Sequence, residues 1–438
     1  MTDSFINFQD FDAYGFDLDH TILKYKLVNA FNLSYDCVTD YLVEKGYDKR
    51  IQHDLEKYKD FISKGLVLDI GKGNIIKLGS KGEVIQGKHG TKSLSHDELI
   101  QIYGEDLKFE HSDVIFKTMQ NSVNYRYFEN YFDTPGLVAM ARLIDIIDEK
   151  KMTYEEVWID VMKALQNCYT FQGFKLDTGG FFPALKKEPH KYLEKCSADV
   201  KKWLKSLKEG KKCVFLVTSS YVDFASFTSE YILGKDWREY FDICVFYARK
   251  PSFFSDKNPF LRIEGDSEKE PVTELKVGGF YSQGNFGELD KFISDYTGKK
   301  DPKVVYFGDN ICADCYPSKT YADWSAVLIL EEMDAEGYLC SDGTVPGHKH
   351  DGESNNKKAK FEVNITNEWG PFLCYGDQKG TKVMNTFWGS VISKYSCITV
   401  PSLEYLSGVP LDHKFKKFSE EDGNIEGFHP GIPSSLLP

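Results

Sequence analysis

Short apolar runs, four or five residues long, set the hydrophobic pattern of this chain. Ala13-Tyr14-Gly15-Phe16 ends in Asp-Leu-Asp and predicts a buried strand meeting a functional loop. Helical patterns follow over 28–45 and 55–64. Val67-Leu68-Asp69-Ile70, Ile75-Ile76-Lys77-Leu78 and Val84-Ile85-Gln86 are β-like runs separated by Gly-rich turns, which predicts a small antiparallel meander. From Pro135 to about Cys168 the pattern is helical, with Pro135 suited to a first turn, and an amphipathic helix is predicted over 190–207. Beyond it the runs Cys213 to Val217, Ile243 to Tyr247, Val304 to Phe307 and Ala326 to Leu330 alternate with helix-length stretches. Continuous apolar strands of this kind predict a parallel sheet covered on both faces. The strand at 13–16 belongs with them, so the reading is α/β, with one sheet interrupted by a large insertion. The core is expected over 1–26 and 211–333, continued by 361–418, with the inserted domain at 27–210. Two loops look solvated, 264–270 and 334–360, and 419–438 reads as a Pro-containing tail.

Composition narrows the class without changing that outline. At 438 residues the prior is two or three domains. Hydrophobic residues at 41%, charged at 28% and aromatics at 15% describe a folded chain rather than a disordered one. A net charge of −13 argues against a general nucleic-acid binder. No apolar run approaches a membrane span. The first fifteen residues hold three Asp and no Lys or Arg, unlike a secretory leader, and the ten cysteines are scattered singly. Both features predict a cytoplasmic protein with reduced thiols. Asn364-Ile365-Thr366, a formal glycosylation triplet, means little in that setting.

In open α/β sheets ligands bind beyond the carboxyl ends of the strands. There the sequence places Asp17-Leu18-Asp19-His20-Thr21, then Thr218-Ser219-Ser220, then Lys250, then Gly308-Asp309-Asn310 and Asp314. Carboxylates, hydroxyls and one ammonium at a single edge suit phosphoryl transfer with Mg²⁺. That ion takes oxygen ligands, a carboxylate can attack phosphorus, and a carboxyl two residues on can move the proton. Each group alone has a plainer reading. Asp10-Phe11-Asp12 repeats the Asp-x-Asp spacing without a preceding strand, Thr218 to Ser220 could cap a helix, Lys250 could be solvated, and Asp309 and Asp314 could be a cap and a surface carboxylate. Their common order and position argue for the shared site. Cys312 and Cys315 have redox or zinc spacing but lack a second ligand pair and read as packing thiols. His348-Lys349-His350 reads as solvated, His20 as shaping the mouth of the site, and Tyr125, Tyr127, Phe128, Tyr131 and Phe132 as an aromatic stripe at roughly helical spacing, for core or cap packing ahead of base stacking.

Phe16 to Thr21, Phe215 to Ser220, Ala248-Arg249-Lys250-Pro251 with Phe253-Phe254, and Gly308 to Asp314 together resemble the four motifs of the haloacid dehalogenase superfamily, in the form of the cytosolic purine 5′-nucleotidase family. The resemblance implies a Rossmann-like core with a large cap inserted after the first motif. It implies Asp17 as nucleophile and magnesium ligand, and Asp19 as acid/base that binds the metal through its main-chain oxygen. Thr218 would bind the phosphoryl group, Ser219 and Ser220 would lie near phosphate or sugar, and Lys250 would neutralise developing charge. Asp309 would hold the metal with Asp314 in support. The chain departs from the purine nucleotidases at Ser219, where those enzymes carry Asn. The expected activity is Mg²⁺-dependent hydrolysis of a small phosphomonoester, by resemblance a nucleoside monophosphate, with no nucleic acid and no membrane as partner and self-association left open. The alternatives are a catalytically weak nucleotide-binding or scaffold protein, and a phosphatase for a non-nucleotide phosphoester.

Overall fold

The computed structural model describes residues 4–147, 152–170, 172–336, 368–376, 383–419 and 426–431. His348-Lys349-His350, the Asn364 triplet, the 334–360 loop beyond residue 336 and tail residues 420–425 and 432–438 lie outside them. Nine strands form the main sheet: β1 (Ala13–Phe16), β2 (Cys213–Val217), β3 (Ile243–Phe246), β4 (Phe260–Glu264), β5 (Ser267–Pro271), β6 (Gly279–Gln283), β7 (Val304–Gly308), β8 (Ser325–Ile329) and β9 (Ile398–Val400). Their order is β5-β4-β6-β3-β2-β1-β7-β8-β9. The seven from β6 to β9 are parallel, and β4 and β5 form an antiparallel edge. The chain winds outward in both directions from β1, which makes the crevices beside it the switch point where such sheets bind ligands.

Both faces of this sheet are covered, as its unbroken apolar strands require. On one face Trp203, from the helix Ala198–Glu209, meets Tyr14, Phe16 and Phe307 edge-on. On the other, Leu289 and Ile293 of the helix Phe286–Thr297 join Phe215, Tyr306 and Trp324. Gly15 is required there. A Cβ on it would lie 2.4 Å from the Phe215 ring and 2.6 Å from that of Tyr306, which stack 6.4 Å apart. The edge hairpin β4–β5 occupies much of the stretch read as a solvated loop. Its charged residues are those of an exposed edge strand, which periodicity does not separate from a loop.

The chain divides into two units. The first, around the main sheet, comprises residues up to Tyr25, those from Leu193 and those from Ile392 onward; the second comprises Lys26–Tyr192 and a segment ending at Val391. In the second unit five antiparallel strands include the expected meander, Leu66–Asp69, Asn74–Leu78 and Val84–His89. Tyr125–Phe128 pairs with the first of these, so the aromatic stripe there is a strand and not a helical face. Helices Leu27–Glu44, Thr134–Ile147 and Tyr154–Cys168 pack on one apolar cluster. A Thr153–Glu156 capping box starts the last of them, so the pattern read as one helical stretch holds two helices.

Two boundaries differ from the sequence reading. The insert closes at Tyr192 rather than 210, because Leu193–Glu194 pairs with Lys24–Tyr25 and the helix after it packs on the main sheet. Residues 368–376 and 383–391 belong to the second unit, not the core. Lys77 donates to the Trp369 and Pro371 carbonyls, Lys88 binds Glu368, Trp369 packs edge-on against Phe61, and Trp388 donates to Gly65 O. Among the described residues no helix is long and apolar enough to cross a membrane.

Candidate active site

The catalytic candidates stand where the ladder of the main sheet stops. Asp17 follows β1, its amide bonded to Phe307 O at 2.8 Å, and Thr218 follows β2, its amide bonded to Val245 O at 2.9 Å. Asp309 follows β7 directly. A single π-helical turn, Ile311–Cys315, then carries Asp314 back toward the strand end, and such turns recur at functional sites. Asn310 caps this turn through Ala313 N, while its own amide binds Asp314 Oδ2 at 3.1 Å. Gly308 makes room for that return, since a Cβ on it would fall 2.4 Å from the Asp314 carboxyl.

Asp17, Asp309 and Asp314 are all buried, and each places a carboxylate oxygen within 4.8 Å of the others. Lys250 lies 2.8 Å from Asp17 Oδ1 and 2.5 Å from Asp314 Oδ1, its side chain 2% exposed. It also donates to Tyr306 Oη at 3.1 Å, and Tyr306 donates in turn to Val217 O at 3.0 Å. Burial pushes the Asp17 carboxyl up to about 7, although the adjacent Lys250 pulls it down. The flanking carboxylates hold Lys250 well above the usual lysine range against its own burial, so the ammonium stays charged. Arg249 and Tyr247, both at positive φ, form the tight turn that delivers Lys250.

Asp19 lies outside the carboxylate trio. Its Oδ1 accepts from Tyr25 Oη at 2.7 Å and its Oδ2 from Ser220 Oγ at 2.6 Å. Ser219 Oγ accepts from the Lys250 amide at 3.0 Å, and Thr218 Oγ1 from the Ser220 amide at 3.0 Å. All eight residues singled out from the sequence thus fall in one unit, at one end of its sheet. The hydroxyls of Ser219 and Ser220 are engaged with Lys250 and Asp19. Tyr25 and Tyr306 escaped the sequence reading. Tyr25, six residues past Asp19, was open to notice; nothing near Tyr306 marks it. Cys312 and Cys315 are buried and form no disulfide with another described cysteine. Asp12, of the second Asp-x-Asp, precedes β1 and pairs with Lys299 on the surface.

The family model described as the 5′ nucleotidase family matches residues 2–346. The chain is 37% identical over 443 residues to 5′-nucleotidase domain-containing protein 1 of Homo sapiens, covering 97% of this chain and 96% of that protein. To human 5′-nucleotidase domain-containing protein 2 it is 24% identical over 345 residues, covering 76% and 62%. A solved archaeal β-phosphoglucomutase from Pyrococcus sp. Strain ST 04 aligns with a TM-score of 0.32 at 10% identity, over 72% of this chain and 86% of that one.

Proposed function

This chain belongs to the 5′ nucleotidase family and is a phosphoric monoester hydrolase; from that premise we propose that it cleaves nucleoside 5′-monophosphates through an aspartyl phosphate on Asp17, with Mg²⁺ as cofactor. The observation that carries the reading is the meeting of three buried carboxylates with one ammonium at the sheet's switch point. Such a set leaves net negative charge in a buried site and offers the oxygen donors that Mg²⁺ takes. Asp17 and Asp309 would hold the ion with the main-chain oxygen of Asp19, because Asp314 is already engaged by Lys250 and the Asn310 amide. When bound, the ion supplies charge neutralisation for carboxylates and phosphate together.

The chain's own residues then divide the work. An Asp17 oxygen attacks phosphorus, and the bond from phosphorus to the ester oxygen breaks. Asp19 gives its proton to that departing oxygen, and the nucleoside leaves. Asp19, now a carboxylate, takes a proton from water as the water oxygen attacks phosphorus; the bond to Asp17 breaks and inorganic phosphate is released. Lys250 lies beside the nucleophile, where negative charge develops on the transferring oxygens. Thr218 Oγ1 accepts the Ser220 amide and keeps its own proton to donate to a phosphoryl oxygen.

Phosphate release from a panel of nucleoside monophosphates, sugar phosphates and 4-nitrophenyl phosphate tests the reading, run with Mg²⁺, with excess chelator, and with Asp17→Asn. A nucleotide is expected to give the highest kcat/KM, and both chelator and substitution should abolish turnover. Full activity in chelator removes the metal from the proposal, full activity of Asp17→Asn removes the covalent route, and preference for a sugar phosphate removes the nucleotide.

A further inference from the structure

The Asp19 carboxylate is gripped from two sides by hydroxyls that come from distant parts of the chain. Tyr25 Oη donates to Oδ1 at 2.7 Å and Ser220 Oγ to Oδ2 at 2.6 Å. Each donor is itself fixed. Leu18 O accepts the amides of Thr21, Ile22 and Leu23, and His20 takes a φ of +53°, so the chain reverses and brings Tyr25 back beside Asp19. Tyr25 then pairs with Leu193 and is 2% exposed. Behind it the buried His20 ring packs 4.7 Å from the Tyr25 ring, with His20 Nδ1 3.5 Å from Glu331 Oε1. Ser220 is tied by its amide to Thr218 Oγ1 and by its carbonyl to the Tyr247 amide.

We propose that Tyr25 and Ser220 are positioning residues that hold the Asp19 carboxyl in line for proton transfer. This inference rests on the acid/base reading of Asp19. An Asp carboxyl is a broad two-fold rotor, and a free one would spend much of its time turned away from the ester oxygen. Two donors, one per oxygen, stop that rotation. Each oxygen keeps further acceptor capacity, so the leaving group or the water still has a place to bond. A hydroxyl can also turn to accept, so the same pair holds Asp19 when it carries the proton and after it has given the proton up. Misplacing a reacting group by about 1 Å can cost on the order of 100-fold in rate, which is the scale such a clamp protects. Ser220 thereby has a role other than contact with phosphate or sugar.

The test is leaving-group selectivity in the first step. Single-turnover phosphoenzyme formation is measured by rapid quench in wild type, Asp19→Asn, Tyr25→Phe and Ser220→Ala. Two substrates are used, the nucleoside 5′-monophosphate that wild type turns over fastest and 4-nitrophenyl phosphate, whose leaving group needs little protonation. Tyr25→Phe and Ser220→Ala should each slow the nucleotide by about 10- to 100-fold and leave the aryl ester nearly unchanged, following Asp19→Asn in pattern and falling short of it in size. A role in structure alone would slow both esters alike. If Asp19→Asn itself slows both esters equally, its acid role fails and the inference falls with it. If Asp19→Asn is selective while the two hydroxyl variants slow both esters equally or neither, the positioning role alone is overturned. Should Tyr25→Phe not fold, Ser220→Ala decides by the same criterion.

Discussion

Lys250 stands between two buried carboxylates, 2.8 Å from Asp17 and 2.5 Å from Asp314, and its removal strands both. Lys250→Met keeps the length of the side chain and deletes the charge. Breaking a buried pair by removing one partner costs about 3–5 kcal/mol, so the variant should melt several degrees lower. Losing one group aimed at developing charge should reduce kcat roughly 10²–10³-fold, measured well below the new midpoint. Turnover within about twofold of wild type would show that Lys250 only balances Asp314 and takes no part in the chemistry. The positions of Asp17, Thr218 and Asp309 were legible because each directly follows a short apolar run, and a strand's end is a local property of sequence. Asp314 was legible only as a nearby carboxylate, since its return depends on a π-helical turn. Tyr306 lies inside a buried strand, where a tyrosine reads as apolar filling, and only the fold shows its hydroxyl between Lys250 and Val217.

Strands and helices followed the pattern where neighbours along the chain decide the outcome, and departed from it where distant partners do. Five of the seven parallel strands came from unbroken apolar runs; Gly279–Gln283 and Ile398–Val400 did not, and Tyr125–Phe128 needed Leu66–Asp69 beside it to be a strand. The helix Thr134–Ile147 shows a second kind of dependence, because it buries Arg142 on a nearly all-apolar surface. That guanidinium donates to Tyr35 Oη and to the carbonyls of Arg50, Ile51 and His53, so it closes a 3₁₀ turn of the same unit. Arg142→Met should strand the His53 carbonyl, at about 1–3 kcal/mol, and take the charged donor from those of Arg50 and Ile51, which keep His53 N and Tyr35 Oη. Urea unfolding should show a loss of roughly 2–4 kcal/mol in the insert, and Arg142→Lys should recover only part of it, having a point charge where a planar fork is needed. An unchanged midpoint for Arg142→Met would mean that water or a shifted turn satisfies those carbonyls instead.

The chain is woven between its two units, and that weave was the least legible feature. The first excursion shows in the sequence as a change of texture. The second does not, because a strap such as 368–376 carries apolar residues that suit either unit; the lysines that receive it, Lys77 and Lys88, lie about three hundred positions upstream and read as surface charges. This connectivity dictates how the origin of specificity should be tested. The core motifs offer short carboxylates, hydroxyls and one lysine, a set suited to a phosphate and a metal and to little beyond them, so recognition of the nucleoside is expected to come from the insert. Cutting the meander alone would remove central strands of a five-stranded sheet and unfold its unit. Deleting only 26–192 would leave Trp369, Phe372 and Trp388 without the cluster that buries them, and such a chain should aggregate. The productive deletion removes both segments. Tyr25 and Leu193 are already paired across an antiparallel ribbon, so an Asn-Gly turn can replace 26–192, and a Gly/Ser linker can join residue 336 to Ile392. This reduced chain should fold, hydrolyse 4-nitrophenyl phosphate, and lose its preference for the nucleotide by about 10-fold or more in kcat/KM. A proportional fall for both esters in a folded chain would place nucleoside recognition in the main-sheet unit instead.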